Sequence, residues 1–202
     1  MTSLFTKTVT ILALQLALNS AATAQKCETS IKMLYDKLHL DSQANQYQYE
    51  TAFFSCFPND FASFNNLFGW DDKKGKPAPL YHNSEQYVNL FFACQHIPVQ
   101  RKVDKIVAIC KHGTWDADAI NFLQQNTHNF FLKHPANFLQ ALRHQKPQDA
   151  ESFWSFYFDY ESDHHRAKDL QAVNALVSKD DIAMRRIIKQ AYQARVKAWT
   201  VH

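Results

Sequence analysis

Glycine is scarce in this 202-residue chain, with three in all. Sandwiches and barrels need glycine at many turns, so an all-β fold is excluded. An excess of charge is missing as well: the formal charge is +3, too little to recruit nucleic acid or an anionic membrane. The sequence has no G-x-S-x-G, no glycine-rich phosphate loop, no C-x-x-C, no H-E-x-x-H and no calcium-loop pattern. It therefore carries no signature of a cofactor, of a resident metal or of a catalytic nucleophile. Past the N-terminus it has no apolar run long enough to span a bilayer.

What is present begins with a leader. Lys7 supplies a positive start, Val9–Leu18 a short apolar core, and Ala22-Thr23-Ala24 an A-x-A cleavage pattern. Residues 1–24 read as a signal peptide and 25–202 as a single exported all-α domain, periplasmic or secreted. Losing Lys7 lowers the formal charge by one. The remaining chain is long enough to bury a real core.

Along the chain, apolar spacing and caps predict an irregular bundle of eight or nine short helices with one long ordered loop. Ile31, Leu34 and Leu38 mark the first helix. Asp41-Ser42 caps a second, with Tyr47, Ala52, Phe53 and Phe54 on its buried side, and Pro58 ends it. Asn59 or Asp60 caps a short helix with Phe61, Phe64 and Phe68 on one stripe, and Gly69 is expected in the left-handed region at its end. Asn83 or Ser84 caps the next helix. Pro98 opens a helix ending at Gly113, and Thr114 caps the one after it. His134-Pro135 is a break, and Pro147 opens a segment whose apolar residues are almost all aromatic. The last helix is expected to be capped by Ser178, with Asp181 three residues on.

Four cysteines in an exported chain favour two disulfides, which would staple the bundle. If the first two helices pack antiparallel, Cys27 and Cys56 lie level at the end far from their turn. Cys94–Cys110 follows by elimination and conflicts with geometry: twelve residues of straight helix put Cys110 about 18 Å beyond Pro98. The repeated C-x-H at Cys94/His96 and Cys110/His112 suggests a zinc set, but residues i and i+2 diverge on a helix.

Two other features bear on function. Asp159, Glu161, Asp163, His164 and His165 form the densest titratable cluster, the only candidate for a metal-dependent enzyme. Their spacing matches no metal-ligand pattern, which favours a solvated loop. From Pro147 to Asp163 there are five acids and no lysine or arginine, while Arg166 to the end holds eight bases against three acids. These blocks either pair with each other or leave an acidic, aromatic face of Trp154, Tyr157, Asp159, Glu161 and Asp163 for a basic partner.

The stretch Phe57–Tyr81 holds two of the three glycines and three of the six prolines. Phe57 to Gly69 reads as core, and Pro77 to Tyr81 as an anchor. Trp70, Asp71, Asp72, Lys73, Lys74 and Lys76 form a loop with no core role. The segment with Phe57, Pro58, Phe61, Phe64, Leu67, Phe68 and Gly69, followed by Pro79-Leu80-Tyr81, resembles a loosely defined group of small exported bacterial helical proteins. His134-Pro135 with Phe138, Leu139 and Leu142 is similar to a helix-breaking element of the same group. The resemblance implies a helical periplasmic protein, and some members look like immunity proteins against toxins acting in the envelope.

The resulting expectation is a protein-binding protein, of immunity type, that occludes a toxin through the Trp70–Tyr81 loop or the 147–163 face. The alternatives are a metal-dependent enzyme built on Asp159–His165 and a structural or adaptor subunit of an envelope complex.

Overall fold

The computed structural model describes residues 27–39, 45–160 and 162–200, with the backbone alone for Asp163. The leader, the Asp41-Ser42 turn and Glu161 lie outside these residues. The chain is all-α: among the described residues helix makes up 74%, in ten helices, and the strands are two residues each. No described helix is long and apolar enough to cross a membrane. The chain divides into two compact units, one ending at Phe57 and the other beginning at Pro58.

The first unit contains α1 (27–39) and α2 (Gln46–Cys56). Ile31 and Leu34 of α1 are buried, as are Phe53 and Phe54 of α2. Tyr47 is 62% exposed, so it does not join the buried side expected for it. Lys37 Nζ lies 5.1 Å from the Tyr49 ring centroid, linking the two helices. Cys27 and Cys56 are neighbours at 3.5 Å, as the antiparallel geometry anticipates, but no disulfide joins them. That separation is a non-bonded contact, far beyond an S–S bond of about 2.05 Å.

The second unit begins with α3 (Phe61–Phe68). The Ser63 N–H donates to the Asp60 carboxylate at 2.8 Å, which fixes Asp60 as the cap. It continues with α4 (Ser84–Ala93), α5 (Val99–Cys110), α6 (Ala119–Lys133), α7 (Pro135–Arg143), α8 (Pro147–Tyr157), α9 (Asp163–Leu176) and α10 (Ile182–Trp199). Pro135 and Pro147 occupy first-turn positions of α7 and α8, where a missing N–H costs nothing. Pro98 stands one residue before α5, as its cap. Asp181, not Ser178, caps α10, accepting from Met184 N at 3.2 Å. A left-handed turn at His112 (φ 60°) follows α5, and α6 starts four residues later than a Thr114 cap would put it, with Asp118 in the cap position.

The core lies around α8, which packs on α10, α5 and α6. A helix contacted on several sides keeps only a narrow polar edge, half-buried at Glu151, Ser152 and Ser155, and its remaining faces take the run of aromatics. Phe153, Trp154, Phe156 and Tyr157 are all buried. The Trp154 ring meets Phe131 and Tyr157 edge-on, each at 5.3 Å, and its indole N–H points at Met184 Sδ, 3.3 Å away. Phe158, just beyond α8, meets Tyr192 of α10 at 5.6 Å.

The second cysteine pair is not bridged. Cys110 is fully buried and turned toward α6, its sulfur 3.7 Å from Thr127 Oγ1. Cys94 ends α4, where its carbonyl and that of Phe92 accept from Lys102 Nζ at 2.8 and 3.2 Å. The buried lysine thus neutralises the C-terminal pole of α4, with the Phe130 ring 5.0 Å away. The C-x-H zinc set does not assemble: His112 is exposed and braced instead by Ser152 and Asp149 of α8.

Two measurements check this packing. Trp154→Ala should cost about 3–5 kcal/mol in urea unfolding, whereas Trp70→Ala should stay within about 0.5 kcal/mol. Burial pushes the Cys110 thiol up to about 12. Alkylation near pH 8 should therefore leave Cys110 unmodified in the native protein and label it after unfolding, as read by peptide mass spectrometry.

Candidate functional site

The loop after α3 is a β-hairpin. Trp70–Asp71 (β1) pairs antiparallel with Lys76–Pro77 (β2), in the register Trp70↔Pro77 and Asp71↔Lys76. Its base is tied to α3, because Ala78 N donates to Gly69 O and Leu80 N to Leu67 O, both at 2.9 Å. Gly69 is extended (φ −87°, ψ −163°) and not left-handed. Its role is space: a Cβ there would fall 1.8 Å from Asn65 Oδ1. The left-handed glycine is Gly75, at φ 59°, in the four-residue connection between the strands. The turn is closed by Asp71, whose carboxylate accepts from Lys74 N at 3.2 Å and from Lys74 Nζ at 2.6 Å. The Lys74 ammonium holds the Asp71 carboxyl below its usual range.

Trp70 stands at the hairpin's edge, 39% exposed, with its ring edge-on to Tyr81 at 5.7 Å. The Tyr81 hydroxyl donates to Asp118 Oδ2, and this bond raises the phenol's pKa. Asp118 has φ 54° and ψ −117°, a conformation costly for a residue with a Cβ, immediately before α6. A chain of contacts therefore runs from Trp70 through Tyr81 to a strained residue at the head of α6. Asp72 and Lys73 are exposed at the tip.

The expected acidic, aromatic face of 147–163 does not exist as a surface. Trp154 and Tyr157 are core residues, and Asp159 is buried too. Its carboxylate accepts from Trp115 N at 2.9 Å, Arg195 Nη1 at 3.2 Å and Trp199 Nε1 at 3.1 Å. The acidic block meets the basic one here, in the plainer of the two arrangements open from sequence. Glu161 lies outside the described residues, as does the side chain of Asp163. His164 and His165 are exposed on α9, away from the bonds that hold Asp159. Among the described residues no group of three or more His, Cys, Asp or Glu side chains is placed to hold a metal ion.

Sequence reasoning missed a cleft of about 390 Å³, formed by α6 and the first half of α9 together with Trp115 and Tyr160. Its α6 wall is Asn121, Gln124, Gln125 and His128, a polar stripe at i, i+3, i+4 and i+7, and that spacing was the available signal. His128 Nε2 donates to Tyr157 O at 2.7 Å, while Nδ1 faces Asp169 Oδ2 at 3.4 Å. The Tyr160 hydroxyl donates to the same oxygen at 2.5 Å. Burial drives the His128 pKa below its ordinary value, against the opposing pull of Asp169 and the Tyr157 carbonyl. Burial and Asp169 together keep Tyr160 protonated. His128 therefore acts as a brace through its Nε2–H, while in the neutral ring that burial favours Nδ1 turns a lone pair, not a hydrogen bond, toward Asp169.

Comparison of the chain with protein-family models, with curated proteins and with solved structures finds no match.

The lowered pKa of His128 fixes a pH dependence. Below the ordinary value of 6.5 the unfolded chain takes up a proton that the folded state refuses, so stability falls as pH drops. For the buried His128 this slope is at most about 1.4 kcal/mol per pH unit, and His134, lowered by partial burial and by Lys102 and Lys133, adds a smaller, solvent-screened contribution in the same direction. Urea midpoints should decline from pH 7.5 to 5, and His128→Gln, which keeps a donor for Tyr157 O, should flatten that decline.

Proposed function

We propose that the protein is an exported, protein-binding protein of the cell envelope that works as an immunity-type inhibitor. Its hairpin, with Trp70, Asp71, Asp72, Lys73 and Lys74, docks against a polypeptide toxin. The observation that carries this reading is the exposed Trp70 on a hairpin fixed at both ends. One end is held by backbone hydrogen bonds to α3 and the other by Tyr81 on Asp118. A large aromatic side chain that is held rigid loses little entropy on binding, which is the property of an interface anchor. Carboxylates and ammonium groups of the same hairpin surround it and offer a polar rim that sets register and partner choice. Inhibition by this route is steric occlusion and needs no chemistry from the chain. The leader pattern supports export, and the resemblance of the 57–81 segment to immunity-like exported proteins supports the class of partner.

No observation favours the metal-dependent alternative, because Asp159 is committed to Arg195, Trp115 and Trp199 while His164 and His165 face solvent. An adaptor role would use the same hairpin and differ only in the partner.

The test is capture from envelope extract followed by an activity assay on whatever is captured. Wild-type protein should retain a secreted enzyme or pore-former that attacks cell wall or membrane, and should block its action. Trp70→Ala should weaken that capture by about 2 kcal/mol or more, some thirtyfold, with unchanged folding. Equal capture by wild type and a Trp70→Ala/Lys73→Glu double variant would refute the docking role of the hairpin.

A further inference from the structure

The cleft beside α6 has a feature that packing does not require. Gln124 is 3% exposed, and its amide nitrogen donates to Phe156 O at 2.6 Å and Asp159 O at 3.0 Å. Those two bonds fix which end of the amide is which. Gln124 Oε1 takes no hydrogen bond from the described residues and is not sealed from solvent, which leaves it reachable at the cleft that Gln124 lines. An oriented acceptor that solvent reaches at the wall of a cavity is open to a donor from outside the chain. Asp169 adds a second acceptor, because its Oδ2 takes the Tyr160 hydroxyl while Oδ1 takes no hydrogen bond from the described residues.

Charge decides what kind of donor fits. The carboxylate of Asp169 is offset within the lining by Lys168, and the buried Arg166 guanidinium lies 5.6 Å from the Tyr160 ring. Among the described side chains that line the cleft, one carboxylate, Asp169, stands against one ammonium, Lys168, so neither sign dominates that lining. Its remaining wall is the indole of Trp115, held from behind by an edge-on contact with Trp199 at 5.9 Å. Around it are groups that donate and accept at several points: Asn121, Gln125 and the mouth residue His165. The volume suits a small molecule. A neutral ligand with several hydroxyl donors and a flat apolar C–H face meets all of these conditions.

We propose that this cleft is a saccharide-binding site, in which a sugar ring lies on Trp115 and gives hydroxyl protons to Gln124 Oε1 and Asp169 Oδ1. The site is separate from the hairpin and holds whether or not the hairpin docks a toxin.

The experiment is an NMR titration of the full exported chain with two disaccharides, N,N′-diacetylchitobiose and maltose, and with the cation agmatine for contrast. At least one disaccharide should shift the Trp115 indole and Gln124 side-chain amide signals saturably, with Kd at or below about 1 mM. Asp169→Asn should weaken that binding at least tenfold, and Trp115→Ala should abolish it. The shift of the Gln124 amide in wild-type protein keeps the test decisive should either variant fail to fold. No saturable shift with either sugar up to about 10 mM would overturn the proposal. So would binding that leaves the Gln124 and Trp115 signals unmoved, or agmatine shifting them in place of the sugars.

Discussion

A carboxylate removed from water must be given partners or it destabilises whatever buries it. Asp159 is such a group, and the second unit is organised around meeting its demand. It takes one hydrogen bond from the backbone of the loop before α6 and two from the last turns of α10, at Arg195 and Trp199. Its own backbone carbonyl accepts from Gln124 of α6. Three segments far apart in sequence thus converge just past α8, and with them the position of Trp115 and the inner wall of the cleft. The interaction is directional where the surrounding aromatic packing is not, so it selects one arrangement among the many that would bury the same rings.

The aromatic packing supplies the bulk of the burial. Phe131, Phe138, Phe153, Trp154, Tyr157 and Phe158 meet mostly edge-on, with the α8 side chains turned to α6 and α7 on one side and α10 on the other. A helix in that position gains from aromatic residues on its buried faces, since each ring buries a large area and finds another ring to meet. Lys102 does for α4 what Asp159 does for the loops. It brings a charge inside to complete carbonyls that the end of a helix leaves without partners.

Much of this architecture is legible in the sequence, and the exceptions have physical causes. The helices follow from apolar spacing and from proline, and the hairpin frame follows from the residues flanking it. The misreading of 147–163 came from treating charge and aromatic content as surface properties. Nothing local distinguishes an exposed acidic residue from one whose partners, Arg195 and Trp199, arrive from the far end of the chain. Gly69 was assigned a left-handed backbone because it follows a helix, yet the close approach of Asn65 is what requires it. Asp118 shows the reverse case: a residue with a side chain takes a positive φ, and that side chain accepts the Tyr81 hydroxyl. The cleft went unnoticed because its residues come from two helices whose polar faces each look like ordinary solvent-exposed surface. The cysteines are spaced as a pair of staples would be, and spacing alone does not set sulfur-to-sulfur geometry.

The hairpin separates what must stay constant from what is free to change. Its frame depends on Gly69, Gly75, Tyr81 and Asp118, each fixed by a steric or hydrogen-bonding need. Asp72 and Lys73 at the tip meet none of these needs, being exposed in the connection between the strands. Substitution there leaves the fold's energy almost untouched while it redraws the shape and charge that the tip presents. A lineage carrying this scaffold can therefore vary the tip through a few codons without reopening the problem of how to fold.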